Sequence, residues 1–393
     1  MQLTHEENGI LQNRHHPLAI SLLSEYLKSN LSNIETHLFK LPSELSTELK
    51  KNIPDIAMFS SYMWNEAISC FYAQIIKELN PNALILFGGP NISTNNGTNF
   101  QFLKEREYID ILVRGDGEII SKLLIGKFLD TKSIDAAKEV LDGMTLSLGN
   151  NNEEILGANT LESRMGVKTS SLDDTPSPYL SGAMDKFFID GSIPLLESNR
   201  GCPFQCTYCQ QGDKYFSKVR FYSPTRLNDE LHYIGKKVFD DKLDMKIIEF
   251  ADPNFGMYEK DADVFRSTRE IQDLYGFPQE VWCSTGKNKT EIIMGNINKL
   301  NDGSIALRSA MQSTDEDTLK AIKRKNIKLS VYYDFIKDNA KKGIESNADI
   351  MLGLPLETKQ KHIDGILHVI DNGMSQFSLL QTILLKGTYM EDP

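Results

Sequence analysis

The sequence predicts an α/β protein in two parts, an open parallel sheet followed by a partial barrel of six strand–helix units. Short apolar segments alternate with helical stretches in both halves of the chain, which is typical of parallel sheets covered by helices. The turn-rich segment S-S-L-D-D-T-P-S-P-Y at 170–179 separates the two alternations. We therefore predict a first domain at 1–130, a linker at 131–185 and a second domain at 186–393.

The composition excludes several classes of protein. The chain has 393 residues, and its 43 Lys and Arg against 54 Asp and Glu give a net charge of −11. Nucleic acid is not an expected partner, because binding phosphates needs a basic surface. No membrane is expected either, since no apolar run approaches the roughly 18 residues of a spanning helix. The polar N-terminus is no secretory signal, and five cysteines are too few for a disulfide framework, so we expect a cytoplasmic protein.

Three short apolar strands are predicted in the first domain, and each ends in a loop of small and polar residues. We expect these strands at 53–60, 83–87 and 109–113, with helices at 17–28, 66–79 and 118–128. Ligands of parallel sheets bind at the carboxyl ends of the strands. The candidate ligand site there consists of Ser60, Ser61, Tyr62, Trp64, Asn65, Gly88, Gly89, Pro90, Gly115, Gly117 and Glu118. For each loop alone, tight-turn chemistry is the alternative explanation.

The second domain repeats the alternation six times. We expect strands at 193–197, 246–250, 280–283, 304–308, 348–352 and 377–385, and helices at 226–239, 261–275, 290–300, 315–325, 332–342 and 362–372. Six such units are typical of a partial α/β barrel, whose reactive residues gather at the carboxyl ends of the strands. Between the domains, 144–148 and 154–156 flank an asparagine-rich turn and suggest a surface hairpin.

The strongest chemical signal is a loop of three cysteines just after the first strand of the second domain. Cys202, Cys206 and Cys209 lie in G-C-P-F-Q-C-T-Y-C. Three thiolates in one short loop can bind three irons of a 4Fe–4S cluster and leave the fourth iron open to a small molecule. Zinc is the alternative, but closed zinc sites use four ligands, and no second cysteine pair or neighbouring histidine is present. Cys70 and Cys283 lie in apolar contexts typical of buried thiols.

This C-x3-C-x2-C loop, with an aromatic residue before its third cysteine, is similar to the signature of the radical S-adenosylmethionine (SAM) superfamily. The R-G-C-P-F segment, the P-S-P-Y linker, the M-L-G-L-P-L-E-T segment at 351–358 and the alternating first domain resemble its cobalamin-binding branch. The resemblance implies a Rossmann-like cobalamin-binding-type domain followed by a partial (β/α)6 radical SAM barrel. The implied cofactors are a 4Fe–4S cluster, S-adenosylmethionine and cobalamin.

The resemblance also implies which residues contact SAM. In the family, the open iron chelates SAM, and one-electron reduction cleaves it to a 5′-deoxyadenosyl radical that attacks unactivated carbon. The positions that match family contacts are Tyr208, Asp252, Asn254, Gln312, Ser313, Arg324, Gly353 and Pro355. Core packing for Tyr208, turn capping for Asp252 and Asn254, and a solvated charge for Arg324 are the alternatives. The segment E-F-A-D-P-N-F-G also departs from the common Gly-Gly-Glu form of the family.

For the first domain, the resemblance implies cobalamin at the loop edge of the sheet. No D-x-H-x-x-G motif is present, so a protein histidine is not expected as the lower axial ligand. Two departures from the family stand out. Only a polar segment precedes Pro17, where family members begin with a strand, and the chain stops just after the sixth strand of the second domain. A truncated protein is one explanation that we keep open.

Taken together, these features predict a radical SAM enzyme, with a cobalamin-dependent methyltransferase as the leading hypothesis. We expect a small-molecule or natural-product substrate and an electron donor such as flavodoxin or ferredoxin. One alternative is a radical SAM enzyme that catalyses a non-methylating rearrangement or cyclisation and keeps a vestigial cobalamin domain. Another is a non-enzymatic module that senses cobalamin or iron–sulfur clusters.

Overall fold

The computed structural model describes residues 1–7, 10–11, 13–93, 96–147, 167–286, 288–305, 307–326, 333, 346–374 and 376–391. The chain divides into two compact units, Met1–Pro178 and Tyr179–Pro393. Each unit has its own parallel strands and helices. Within the described ranges, every helix is too short or too polar to cross a bilayer.

A three-stranded parallel sheet forms the centre of the first unit. Its strands are β3 (Ile56–Ser60), β4 (Leu84–Gly88) and β5 (Ile111–Val113), in that order. A short antiparallel pair, β1 (Glu6–Glu7) and β2 (Ile10–Leu11), precedes them. The register pairs Ser60 with Gly88 and Gly88 with Val113. All three strands therefore end level with one another, and their loops emerge from one edge of the sheet.

Helices cover both faces of this sheet. They are α1 (Leu18–Asn30), α2 (Pro42–Leu49), α3 (Glu66–Leu79), α4 (Asn96–Lys104), α5 (Glu118–Thr131) and α6 (Ile134–Ser147). Alternate residues of β4 enter two different cores: Phe87 packs with Ile76 of α3, whereas Leu86 packs with Leu124 of α5. Because both faces are buried, β4 is apolar throughout instead of alternating.

One expectation for the first unit needs correction. Helix α6 includes Met144, so the hairpin predicted from 144 onward is wrong at its start, and 148–156 lie outside the described residues. The polar N-terminal segment adds no strand to the three-stranded sheet, although Met1 and Thr4 form backbone hydrogen bonds with neighbouring segments. Ser60 N donates to Met1 O (2.8 Å), and Thr4 N donates to Lys40 O (2.9 Å).

Among the described residues, the second unit contains six parallel strands in two hydrogen-bonded groups of three. One sheet consists of β6 (Leu195–Leu196), β9 (Ile247–Phe255) and β10 (Glu280–Thr285). The other consists of β11 (Leu307–Gln312), β12 (Ser346–Leu352) and β13 (Gln376–Gln381). A single parallel bridge joins Val281 to Ile305 across the two groups. The mixed α/β fold is therefore confirmed, while the curvature of a partial barrel stays a prediction.

The helices of the second unit lie where the sequence places them. They are α7 (Pro224–Asp240), α8 (Asp261–Tyr275), α9 (Thr290–Ile297), α10 (Glu316–Ala321) and α11 (Lys359–Asp371). Ser223 and Thr358 accept backbone N–H bonds at the starts of α7 and α11, as N-cap residues do. The helix predicted at 332–342 lies outside the described residues, apart from Tyr333.

Candidate functional site

The three clustered cysteines lie in a loop that is closed at its base by a short antiparallel pair. Strand β7 (Asn199–Arg200) precedes the loop and pairs with β8 (Arg220–Phe221), which follows it. Cys202 N donates to Phe216 O (2.8 Å), and Cys209 N donates to Cys206 O (3.1 Å). Cys202 and Cys206 are buried, Cys209 is half-buried, and none of the three is in a disulfide. The loop backbone is therefore fixed by its own hydrogen bonds.

Two glycines allow the loop to fold this tightly. Gly201 has φ +113°, and a Cβ there would lie 2.7 Å from the carbonyl oxygens of Phe216 and Lys218. At Gly212, a Cβ would lie 2.2 Å from Cys206 O. Both distances are far inside van der Waals contact, so only glycine allows this close approach of the backbone.

The donor set of the loop fits an iron–sulfur cluster. In the described part of the chain, no group of three or more His, Cys, Asp or Glu side chains, the three loop cysteines included, is arranged to hold one metal ion. A closed zinc site requires four ligands around one ion, whereas each thiolate of a 4Fe–4S site binds a different iron. Three thiols in a loop without histidine match the ligand set of a 4Fe–4S cluster, in which each thiolate binds its own iron.

Asp252 on β9 fixes the chain just before the cysteine loop. Its carboxylate is almost fully buried and accepts hydrogen bonds from Ser198 N (3.1 Å), Ser198 Oγ (2.9 Å) and Asn199 N (2.8 Å). Burial raises the pKa of Asp252 to about 7, although the bonds from Ser198 act in the opposite direction. This carboxylate therefore orders the segment that leads into the loop. A contact between Asp252 and SAM stays a prediction.

Asn254 lies two residues further along β9 and contacts the loop directly. Its Nδ2 donates to the sulfur of Cys202 at 3.3 Å, and the residue is 0% exposed. The other end of the amide, Oδ1, has no hydrogen-bond partner in the described part of the chain. A buried acceptor without a donor is unusual in a folded protein, and here it lies beside the cysteine loop.

Arg324 and Tyr208 form a second buried group near the loop. Arg324 is 8% exposed, and its Nη1 donates to Tyr208 Oη (3.1 Å) while its Nε donates to Asn326 Oδ1 (2.7 Å). It also donates to the carbonyl of Ala310. None of the carboxylates among the described residues pairs with this guanidinium. The alternative of a solvated charge is therefore wrong, and the site holds a buried cation surrounded by neutral partners.

The end of β11 has a strained backbone and a second unpartnered amide. Gln312 has φ +67°, which is uncommon for a residue with a side chain, and its buried Oε1 has no partner in the described chain. The neighbouring Ser313 Oγ donates to Glu357 Oε1 (2.5 Å), and Glu357 Oε2 lies 3.0 Å from His362 Nδ1. Backbone strain of this kind clusters at ligand sites.

Sequence reasoning missed two residues of this region. Glu357 connects the β11 loop to α11, and its signal was its place in the M-L-G-L-P-L-E-T segment. Asn326 donates to Met311 O (2.7 Å), and nothing in the sequence pattern singled it out.

In the same M-L-G-L-P-L-E-T segment, Gly353 has φ +87°, and a Cβ there would meet no atom within 4 Å. Glycine at 353 is therefore required by the backbone conformation and not by packing, and Pro355 follows in the same half-exposed loop.

In the first unit, the predicted loop residues come together at one edge of the sheet. Ser61 N donates to Gly88 O (2.6 Å) and Asn91 N donates to Ser61 O (3.1 Å), which joins the first two loops. Gly89 has φ +103°, and a Cβ there would lie 2.9 Å from Ser61 O. The Ser61 hydroxyl is fully buried and has no partner in the described chain. The edge therefore combines a close backbone approach with an unused hydroxyl.

The remaining loop residues have distinct roles. Asn65 braces its own loop, because its Oδ1 accepts from Tyr62 N (2.8 Å) and its Nδ2 donates to Ser60 O (3.0 Å). Trp64 is 53% exposed and stacks on Tyr62 with ring centroids 4.5 Å apart.

The third loop follows β5 and leads into α5. It contains Gly115 (φ +69°) and Gly117, and the buried Glu118 begins α5. One turn further along α5, the Ser121 hydroxyl is fully buried and has no partner in the described chain. Pro90 follows Gly89 in the second loop. All three loops predicted from the sequence leave the sheet at this edge, because the three strands end level with one another.

Comparison with known proteins gives two informative sequence relatives. No protein-family model matches the chain. The cobalamin-dependent radical SAM methyltransferase TokK of Streptomyces tokunonensis is 28% identical over 376 residues, which cover 91% of this chain and 51% of TokK. The 2-(S-pantetheinyl)-carbapenam-3-carboxylate methyltransferase of Streptantibioticus cattleyicolor is 29% identical over 334 residues, which cover 81% of this chain and 45% of that enzyme. The chain thus spans about half the length of these curated relatives.

Solved structures share the fold. TsrM, a radical SAM methyltransferase from Kitasatospora setae with cobalamin and a [4Fe-4S] cluster bound, matches with a TM-score of 0.69 and 12% identity over 99% of this chain and 76% of TsrM. The cobalamin-dependent radical SAM enzyme OxsB with aqua-cobalamin matches with a TM-score of 0.59 and 16% identity over 94% of this chain and 51% of OxsB.

The three-cysteine loop resembles the radical SAM signature, and the fold matches solved radical SAM structures that contain cobalamin. The named homologues and the structural matches support the cobalamin-dependent radical SAM family for this chain. The family resemblance predicted from the sequence is confirmed.

Proposed function

We propose that this chain carries the activity of a cobalamin-dependent radical SAM methyltransferase. The observation that carries the proposal is the buried C-x3-C-x2-C loop of the second unit, whose three thiols fit an open 4Fe–4S site. The relatives named as methyltransferases and the small-residue sheet edge of the first unit favour methyl transfer over the alternatives. Cobalamin and the cluster would supply the methyl-carrying and radical-forming chemistry, and the side chains of this protein bind and orient the reactants.

The polar groups around the cysteine loop suit SAM. Cys202, Cys206 and Cys209 would bind the cluster. Arg324 provides a buried cation that pairs with no carboxylate among the described residues, which suits a ligand carboxylate because a guanidinium can donate two parallel hydrogen bonds. The unpartnered oxygens of Asn254 and Gln312 can accept from the amino or hydroxyl groups of the same molecule. Tyr208, Ser313, Gly353, Pro355 and Asp252 complete the proposed contact set.

The loop edge of the first unit suits a broad ring with polar side arms. Gly89 brings the backbone within reach of Ser61, and the buried hydroxyls of Ser61 and Ser121 are available to a ligand. Small residues at the carboxyl ends of parallel strands leave space for a ring at this edge. We therefore propose that the loops at 60–65, 88–91 and 115–118 bind cobalamin, without a histidine from a D-x-H-x-x-G motif as lower ligand.

We further propose a small organic substrate. One curated relative is named for a carbapenam, and one TsrM structure contains tryptophan. A radical SAM cluster also needs a one-electron donor, for which a flavodoxin or a ferredoxin is our proposal.

Anaerobic reconstitution tests the proposal. The protein should bind about four irons per chain, as three-cysteine SAM clusters do, take up cobalamin, and form 5′-deoxyadenosine from SAM after addition of dithionite. A cluster-loaded protein that forms no 5′-deoxyadenosine would favour a sensing module. Cleavage of SAM by a protein that takes up no cobalamin would favour the non-methylating enzyme.

A further inference from the structure

We propose that Asn254 raises the reduction potential of the cluster by donating its side-chain N–H to the sulfur of Cys202. The inference rests on the proposed function, because it requires a cluster on Cys202. It gives Asn254 a role beyond the contact with SAM, since this role is exerted through the cluster even when no SAM is bound.

The donor and the sulfur are both held in place. Asn254 Nδ2 and Cys202 Sγ are 3.3 Å apart, and the two residues are 0% and 4% exposed. Asn254 and Asp252 lie two residues apart on β9, and both side chains are buried. Asp252 binds the backbone of Ser198 and Asn199, which lead directly into the loop. The strand with the amide and the loop with the sulfur are thus connected by more than one hydrogen bond.

The orientation of the amide suits a thiolate. A thiolate accepts hydrogen bonds and cannot donate one, so it favours the NH2 end of the amide over the oxygen. The oxygen of Asn254 correspondingly points elsewhere and has no partner in the described chain. Hydrogen bonds to cluster sulfurs and solvent exposure are among the factors that set the potential of an iron–sulfur site.

The direction of the effect follows from charge. Reduction adds one electron to the cluster and therefore increases the negative charge on its sulfur ligands. An N–H donor stabilises the more negative reduced state more than the oxidised state, and burial strengthens this preference. The amide should therefore make the cluster easier to reduce, whichever one-electron donor supplies the electron.

The test is a redox titration of the reconstituted full-length chain, without SAM, followed by electron paramagnetic resonance. Asn254→Leu keeps the approximate volume and removes the N–H. We expect the ratio of reduced to oxidised cluster at a fixed potential to fall about threefold to tenfold, and a tenfold fall is a shift of about 59 mV for a one-electron couple. The matched control is Asn296→Leu. Asn296 is another buried amide of this unit, but its Nδ2 donates to Gly256 O (3.1 Å), so the potential should not change.

The outcomes separate this inference from the proposed function. A wild-type protein that holds no 4Fe–4S cluster would overturn both. The inference alone would be overturned if the wild-type protein holds a cluster and the reduction potential of the Asn254→Leu cluster equals or exceeds that of the wild-type cluster. If Asn254→Leu does not assemble the cluster, the wild-type protein decides the question. Its asparagines are labelled with 15N, and pulsed electron paramagnetic resonance of the reduced cluster should show a 15N nucleus coupled to the electron spin of the cluster. The Asn296→Leu variant should show the same coupling. Absence of that coupling would refute the hydrogen bond.

Discussion

The two proposed ligand sites of this protein differ in the groups that would bind the ligand. In the second unit, side chains would carry the chemistry: the three thiols follow the antiparallel strand β7, the buried Asp252 lies within β9, and the buried Arg324 follows α10. In the first unit, backbone shape dominates, with positive φ angles at Gly89 and Gly115 and an unused hydroxyl at Ser61. Reactive ligands require specific functional groups, whereas a broad flat cofactor requires room. Single substitutions should therefore remove one function while leaving the other.

The largest expected effect is loss of the cluster in Cys206→Ala. Removal of one of three thiolates leaves one iron without its protein ligand, so visible cluster absorbance and SAM cleavage should both disappear. Cys70→Ala and Cys283→Ala are the controls and should keep about four irons per chain. Cobalamin uptake should persist in Cys206→Ala. Full iron loading of that variant would remove Cys206 from the cluster.

The reciprocal change is Gly89→Leu in the first unit. Glycine is required here by φ +103° and by the 2.9 Å distance from a Cβ to Ser61 O, so a leucine must displace the two joined loops. Cobalamin uptake, measured by absorbance, should be abolished while the iron content stays unchanged. Gly126→Ala is the matched control, because Gly126 lies within α5 and a Cβ there meets Leu31 at an ordinary 3.5 Å. Normal uptake by Gly89→Leu would exclude this edge as the cobalamin site.

Arg324→Ala should weaken SAM binding without loss of the cluster. A hydrogen bond to a charged group contributes about 1.5–3 kcal/mol, which corresponds to a dissociation constant roughly 10- to 150-fold higher. Isothermal titration of the cluster-loaded protein measures the change. Lys320→Ala, which removes an exposed cation from α10, is the control and should bind normally. Equal affinities for the two variants would leave Arg324 a role only in holding Tyr208 and Ala310.

The smallest predicted effect concerns pH. Burial raises the pKa of Asp261 from 3.8 to about 6. Because the folded-state pKa lies above the unfolded value, the folded state binds more protons between pH 4 and 6. Stability therefore falls as pH rises through that window. Asp261→Asn keeps the acceptor for Tyr258 N and removes the charge. It should increase the free energy of unfolding by about 1–2 kcal/mol at pH 7 and by less at pH 5.

Urea unfolding at the two pH values measures this difference. The control is Asp302→Asn, which changes an exposed carboxylate in a turn of the same unit. A gain for Asp261→Asn that is equal at both pH values would show that its charge is not the cause.

The difference between the two proposed sites also explains what the sequence could predict. Cys202, Cys206 and Cys209 were found because their spacing is itself the chemical signal. Helices α3 and α8 were predicted with their observed ends because their apolar periodicity is strong. The hydrogen bond from Asn254 to Cys202 links residues 52 positions apart, and no local pattern encodes such a contact. The same holds for Arg324 with Tyr208, and for Glu357 with Ser313.

Short segments without periodicity were the other source of error. The polar segment before Pro17 shows no strand pattern, yet Met1 and Thr4 hydrogen-bond to Ser60 and Lys40. Residues 144–147 were expected to begin a hairpin but complete α6. Four residues carry too little pattern to specify a conformation.

The most direct test of the account follows a labelled methyl group. The reconstituted protein, with cobalamin and cluster bound, is given reductant and SAM that carries a deuterated methyl group. Mass spectrometry then measures label on the cobalamin, and chromatography measures 5′-deoxyadenosine. The account predicts that cobalamin acquires the labelled methyl group and that 5′-deoxyadenosine forms. Formation of 5′-deoxyadenosine while the bound cobalamin stays unlabelled would contradict the methyltransferase assignment.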